Sequence, residues 1–589
     1  MITAVRELGS FALNYSGKDS LSALTEVINA ENYPYMLVIE LEEKEPYGFL
    51  SISVEDMNAG GVGRYIYRQG SSRGSNYSPT AIITDIDKTL PIKIIGWFNA
   101  VSKQKLMFSK EEQSCLEMVK GSLEKSQNKI KTEITERIKD IGKGCGLTLR
   151  IGGEYLSEVA VFRNAFMQLV STKEDSISAP DKLCSLCGKI KSKVSAGAPA
   201  YKFYTIDKPG MISGHFMPEK SWRNYPVCQE CSRALDEGKR VTEQNLKFSF
   251  YGLPYILVPK FLSGKPSEYI LRIITGNRMD KDIKIKTATG QKLINTEDCM
   301  LHILAREQDN LTYNFLFSKK SNSAERILLL VEDVLPSRLR ALFAAKSKVD
   351  HVFMDDPFHL GKVRSFFSKS DESKRDNDLD KYFLEIIDKI FKGLPLSMSF
   401  LATHFMREIR RDFNNQEGAL FKVRNAMQSV IFFANLNMLG QREVNMTETI
   451  FDHVFKKYES QLNTQEKRGI FLLGALTKML LNIQYRKRQS QPFLKQLMGL
   501  KMDSRNIIGL LPKIKSKLFE YDSLSKAKAQ LIEVISRLLL ESPTKWRISV
   551  DEINFYFVCG MSLYKEINVV LYGKEEEESE EEEVVVDVN

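Results

Sequence analysis

Two Cys-x-x-Cys pairs constrain this chain more than any other feature of its sequence: Cys184 with Cys187, and Cys228 with Cys231. Each pair spans a tight knuckle, and together they supply the four soft ligands that tetrahedral Zn²⁺ prefers. A closed set of four thiolates is structural, so the pattern predicts a four-cysteine zinc module over residues 180–240, inserted between larger elements. The 40 residues between the pairs exceed the spacer of a small zinc ribbon, so the site is expected to clamp the base of a longer hairpin containing Tyr201–Pro226. His215 and Glu219 offer an alternative ligand or base, against the simpler reading of His215 as a loop histidine. Eight cysteines in 589 residues are too few for a disulfide scaffold, and the other four are read as buried thiols.

A chain of this length holds several domains with sizeable cores, and 43% hydrophobic with 27% charged residues places it among globular proteins. The first residues lack a charged start, an apolar stretch and a small-residue cleavage site, and no run of ~18 residues is free of charge. The expectation is a soluble, cytoplasmic protein with no membrane contact.

Net charge is +9, but residues 575–589 hold eight Glu and one Asp without a base, which leaves +18 on residues 1–574. A body this basic favours a polyanionic partner through counterion release. The acidic tail reads as a disordered solubility segment, or as a mimic of nucleic acid that suppresses non-specific contacts.

The predicted fold class is α+β: a β-rich N-terminal half with the inserted zinc module, followed by an α-helical bundle. Residues 1–179 form an α+β domain with a basic Gly/Arg loop, 180–240 the insert, 241–367 the remainder of the α+β part, 368–380 a charged linker, 381–574 the bundle and 575–589 the tail. Within this scheme 35–55 reads as a hairpin, 109–141 as a helix opened by a Ser109/Glu112 capping box, and about 154–172 as a second helix. Strands are expected at 247–259, 268–275 and 313–317, helical texture from about 325, and amphipathic helices at 466–483 and 525–540, the latter with Ala527, Leu531, Ile535 and Leu538 on one stripe.

Catalytic patterns are sparse. No G-x-x-x-x-G-K-[ST], H-E-x-x-H or complete G-x-G-x-x-G is present. Gly70-Ser71-Ser72-Arg73-Gly74 matches a nucleophile elbow, but both flanks are polar where that motif needs a strand and a helix. Asp355, Asp356 and His359 offer divalent-cation ligands, against the simpler reading of Asp-Asp-Pro as a turn.

Positive charge is arranged more suggestively. Arg407, Arg410 and Arg411 share a helical face; Arg486, Lys487 and Arg488 follow Tyr485; Arg338, Arg340, Lys346 and Lys348 follow Pro336. Each alone reads as a solvated face, whereas together they suit phosphate tracking beside aromatic rings. The stretch Asn58–Pro79 reads as an exposed loop, and Arg64, Tyr65, Arg68, Arg73, Asn76 and Tyr77 give it arginine forks and aromatic faces suited to RNA or a duplex edge.

The order of segments resembles a known family. A β-rich start with a Gly/Arg loop ending in SPT precedes CSLCGK, KSWRNYPVCQEC, GIFLLGALTKMLLNIQ, QPFLKQLMGL and INFYFVCGMSLYK. This order resembles the large subunit of a type I-B CRISPR-Cas effector complex, Cascade, across nearly the whole chain. The resemblance implies a non-catalytic subunit that contacts guide crRNA at its 5′ handle and target double-stranded DNA at the adjacent motif. It further implies a hold on the displaced single strand, contacts with other Cascade subunits and recruitment of a helicase-nuclease. By that resemblance the Arg64–Tyr77 loop takes handle or adjacent-motif contacts, and the arginines of the C-terminal helices take the displaced strand. Related systems make a small helical subunit by internal initiation; Arg442–Asn445 can be encoded by purine-rich codons before Met446, which would start a 144-residue product. An independent zinc-stabilised DNA-binding transcription or repair factor, a metal-dependent nuclease using Asp355, Asp356 or His359, and a plain scaffold are the alternatives.

Overall fold

The run Tyr35–Leu41 has Met36, Leu37, Val38 and Ile39 all buried, which marks a strand covered on both faces rather than one of a half-solvated sheet. It pairs antiparallel with Phe49–Asp56, as the expected hairpin, and parallel with Cys145–Ile151, on which Ala81–Ile82 and Glu154–Tyr155 also pair. The computed structural model describes residues 1–16, 24–26, 28, 30, 32–57, 62–70, 74–104, 106–142, 144–175, 177–196, 217–262, 296–321, 324–371, 373–415, 419–440 and 447–573.

Helices cover this first sheet and share its core, centred on Trp97, Phe98 and Phe162, with the Trp97 and Phe162 rings stacked at 5.6 Å. The expected helix over 109–141 is two helices, Lys110–Lys125 and Gln127–Ile141. Its start is the Ser109/Glu112 capping box, its end Gly142 in the left-handed region at φ 60°, and its break Ser126. The helix expected at 154–172 begins later, at Ala160, because Glu154–Tyr155 is taken up as an edge strand.

A second sheet runs antiparallel in chain order through Lys247–Phe250, Leu253–Phe261, Leu311–Ser321 and Ala324–Val334. Tyr251 and Gly252, both at positive φ, make the two-residue turn of its first hairpin. The last strand corrects the expectation of helical texture from about 325. A short apolar run such as ILLLV has no period of its own, and pairing with Leu311–Ser321 decides it. The strand expected at 268–275 lies outside the described residues.

Helices follow from Pro336 to the end of the described chain. The long helix Gln465–Arg488 is buried over most of its length and is wrapped by Ser504–Glu520, Lys526–Leu540 and Val550–Ser562. In Lys526–Leu540 the expected stripe buries Leu531, Ile535 and Leu538, with Ala527 only half-buried at its end. The segment 368–380 is held by side chains: Ser370 and Lys374 both bind Asp378, and Arg364 pairs with Asp380. The tail 575–589 and Met446 lie outside the described residues.

One apolar core joins the second sheet, the cysteine module and the C-terminal helices, and it takes in Ala4, Val5 and Leu8 of the N-terminal helix Ile2–Ser16. That helix crosses Gln229–Asn245 at backbone contact. A Cβ at Gly9 would lie 1.7 Å from the Ala234 carbonyl oxygen, and one at Gly238 1.9 Å from that of Val5. Among the described residues no helix is long and apolar enough to cross a membrane.

Candidate metal centre and arginine cleft

The sulfurs of Cys184, Cys187, Cys228 and Cys231 all lie within 4.8 Å of one another. Each pair is shaped by its backbone. In the first knuckle the Gly188 N–H donates to the Cys184 carbonyl at 2.9 Å and Gly188 sits at φ 66°, a turn that glycine makes without strain. In the second, Val227–Cys228 pairs with Val194–Ser195, Cys228 precedes the helix Gln229–Asn245, and Cys231 falls in its first turn. The two knuckles are joined by a hydrogen bond from Ser185 N–H to the Pro226 carbonyl at 2.8 Å. The antiparallel pair Val194–Ser195 and Val227–Cys228 closes the base of the excursion between the cysteine pairs; residues 197–216, with His215, lie outside the described residues, and Glu219 lies in the 3-10 turn Pro218–Arg223.

The donor set fits a metal ion. Burial alone raises the Cys184 thiol, but the backbone N–H groups of Cys187, Cys228 and Leu186 outweigh it and bring the group down to about 7, with the Cys228 N–H 3.3 Å from Sγ. Burial, then the hydrogen bond to Cys228, pushes Cys231 up; a cation among the four sulfurs would offset that penalty. Among the described residues this is the one group of His, Cys, Asp or Glu gathered closely enough to hold a metal. Asp356 is paired with Lys362 at 2.5 Å and Arg424 at 3.5 Å, Asp355 is exposed, and His359 stacks on Tyr251, so a cation site at Asp355, Asp356 and His359 is not assembled. Of the other cysteines, Cys145 and Cys559 are buried and Cys115 is half-buried.

The stretch Asn58–Pro79 is not an exposed loop where it is described. Tyr65, Ile66, Tyr67, Asn76 and Ser78 are buried, because the segment folds back over the first sheet. Arg64 and Arg150 close on Glu55 at 3.3 and 2.8 Å, and Tyr65 and Tyr155 donate their hydroxyls to the same carboxylate at 3.0 and 2.6 Å. Burial pushes Glu55 up, yet these tyrosines and arginines together hold its carboxyl below the ordinary value. Asn76 bridges Gly70 N–H and the Thr80 carbonyl, and Arg68 lies 5.4 Å over the Tyr77 ring. Arg73, like Ser72 of the elbow pattern, lies outside the described residues.

The C-terminal cations divide by location. Arg338 donates to the Ile390 carbonyl, Arg340 to those of Ala305 and Glu307, and Lys346 pairs with Asp350, so these three tie elements together; Lys348 is exposed. Lys487 donates to the Tyr521 carbonyl and Arg488 lies 5.2 Å over the Tyr521 ring, while Arg486 is exposed. Arg407, Arg410 and Arg411 converge on one cleft of about 460 Å³ between Met398–Asn415 and Val550–Ser562. Thr403, His404 and Asn414 of the same helix also line it, and sequence reasoning missed its two charged members from elsewhere, Lys501 and Asp551, because they come from distant segments.

Backbone strain shapes the cleft's far wall. Met498, Gly499 and Leu500 lie at φ 51°, 58° and 60°, a left-handed run that two side-chain-bearing residues adopt at a cost of ~1–2 kcal/mol each. The run turns the Leu500 carbonyl onto Arg410 Nε at 2.8 Å and sets Lys501 at the rim. Asn554 clamps it from behind, donating to the Met502 carbonyl and accepting its N–H. The segments QPFLKQLMGL and INFYFVCGMSLYK thus meet at this wall.

Three domain models of one family match the chain in order: the N-terminal domain of CRISPR-associated protein TM1802 over residues 1–168, its central domain over 181–334 and its C-terminal domain over 358–575. No curated protein matches the chain. The central match begins at the first cysteine knuckle and the C-terminal match contains the whole arginine cleft. With all three domains present in sequence and only short segments outside them, the chain belongs to the CRISPR-associated TM1802 family.

Proposed function

We propose that this chain is the non-catalytic large subunit of a type I-B RNA-guided surveillance complex in antiviral defence. The observation that carries the reading is the match of all three consecutive domains to one CRISPR-associated family. In that role the protein holds the guide RNA 5′ handle, inspects the motif beside the target, keeps the displaced strand apart and helps to seat a helicase-nuclease. Guide pairing supplies sequence recognition, so the protein needs cationic seats and a rigid frame rather than a reactive centre.

The cysteine quartet is a structural Zn²⁺ site: four thiolates with backbone N–H donors suit zinc, and its ligands start the helix that receives the N-terminal helix. Arg407, Arg410 and Arg411 are the best-placed phosphate contacts, since they share one cleft. Arg64 and Tyr65 support the first sheet, so handle or adjacent-motif contacts fall to Arg68, Tyr77 and the segment holding Arg73. A small subunit starting at Met446 remains part of this proposal, and replacing Met446 with a non-initiating residue such as Ala should abolish any short product.

The test is purification of the tagged chain after expression of its native operon, with sequencing of bound RNA and weighing of every co-purifying polypeptide. Repeat-derived guide RNA with further complex subunits is the expected result. Recovery of the chain alone, free of RNA yet shifting duplex DNA, overturns it in favour of an independent zinc-containing DNA-binding factor.

A further inference from the structure

Resting on that reading, we propose that the cleft between Met398–Asn415 and Val550–Ser562 seats a backbone phosphate of single-stranded nucleic acid, and that Asp551 fills the seat as a built-in competitor. The cleft is large enough, at about 460 Å³, for the phosphate and sugar of one nucleotide. Four cationic side chains line it, Arg407, Arg410, Arg411 and Lys501, against the single carboxylate of Asp551. Glu408 lies behind this set and ties Arg407 and Arg411 at 3.1 and 2.7 Å, so the two guanidinium forks are held in place from the side.

Asp551 makes the contacts a phosphate oxygen would make. Its Oδ1 pairs with Arg410 Nη2 at 2.7 Å and its Oδ2 accepts the Thr403 hydroxyl at 2.9 Å. Arginine and hydroxyl donors are the usual partners of backbone phosphate. The carboxylate lies in the first turn of Val550–Ser562, where the helix N-terminus stabilises it with or without Arg410, so displacing it costs little. Beside the cations the half-buried His404 lines the cleft, held by the rings of Phe400 and Tyr382 at 4.9 and 5.1 Å, and a ring at that place suits an unpaired base, which a duplex does not present. Binding is therefore an exchange: strand phosphate replaces carboxylate on Arg410, and the affinity read out is the difference between the two.

The test measures fluorescence anisotropy of labelled oligothymidylate and oligouridylate on the full chain across a salt series. Asp551→Asn should tighten binding about 3- to 10-fold at low salt, as loss of a competing rim charge does. Lys501→Gln, on an exposed loop position that does not threaten folding, should flatten the salt dependence by ~0.7 in logarithmic slope, the share of one single-strand phosphate contact. If both variants keep the wild-type affinity and slope while guide RNA still co-purifies, this proposal falls and the surveillance-complex reading stands. If neither oligonucleotide nor guide RNA binds the wild type, both fall. Adenosine monophosphate that binds as tightly as the strands overturns the single-strand seat in favour of a free-nucleotide site.

Discussion

Gly474 and Gly560 meet where the helices Gln465–Arg488 and Val550–Ser562 cross: a Cβ at Gly474 would lie 2.0 Å from the Phe557 carbonyl oxygen, and one at Gly560 1.8 Å from that of Phe471. The two backbones touch with no side chain between them. Because Val550–Ser562 carries both Asp551 and Asn554, this crossing also sets the position of the cleft's wall.

Gly474→Ala and Gly560→Ala should each therefore destabilise the protein by about 3 kcal/mol, since neither helix has room to yield without opening the core. Urea unfolding of the two variants against the wild type checks this. Gly509→Ala, whose Cβ meets nothing within 4 Å, should be neutral or slightly stabilising by helix propensity.

Removing the metal should loosen more than the cysteine module. The helix Gln229–Asn245 starts at Cys228 and receives the N-terminal helix at Gly9 and Gly238, so chelation should raise amide exchange in Ile2–Ser16 as well as around residues 184–231. Elemental analysis should give about one zinc per chain, and Cys184→Ser should abolish it. Retention of stoichiometric zinc by that variant would sink the assignment.

Arg150 should matter more to folding than Arg64. It pairs with Glu40 and Glu55 and meets the Tyr155 hydroxyl, so Arg150→Gln takes the cation from the part-buried Glu40 and one of the two from Glu55, at a cost of ~2–3 kcal/mol. Arg64→Gln leaves Glu55 with Arg150 and both tyrosines, and should cost about 1 kcal/mol. Thermal unfolding of the pair separates the two.

His404 should make stability fall in mild acid. Burial first, then the neighbouring Arg407, lowers its pKa to about 4 from the ordinary 6.5. Between those values the unfolded chain binds the proton and the folded chain does not, so the contribution is complete above pH ~6.5 and is lost as pH falls toward 4, by roughly 2–3 kcal/mol. Denaturant midpoints of wild type and His404→Phe at a series of pH values test it: the variant should show a shallower loss over that window.

Much of the fold was legible because local chemistry carried it. The hairpin at 35–55, the Ser109/Glu112 cap and the stripe Leu531, Ile535, Leu538 follow from pattern and capping within a few residues, where little else competes. The strand Ala324–Val334 was not legible, since its apolar run takes its shape from a partner strand. The Arg64–Tyr77 stretch misled for a related reason: exposed and buried polar side chains look alike in sequence, and only the approach of Glu55 and Tyr155 turns Arg64 into a structural ion.

By itself the sequence determined the two cysteine knuckles, because each closes within four residues, and it determined the basic helical face at Arg407, Arg410 and Arg411, because helix periodicity alone aligns them. Only the tertiary structure decided what faces those arginines. Lys501 and Asp551 reach the cleft through the left-handed run at Met498–Leu500 and the glycine crossing at Gly474 and Gly560, contacts between segments whose separation along the chain carries no local signal.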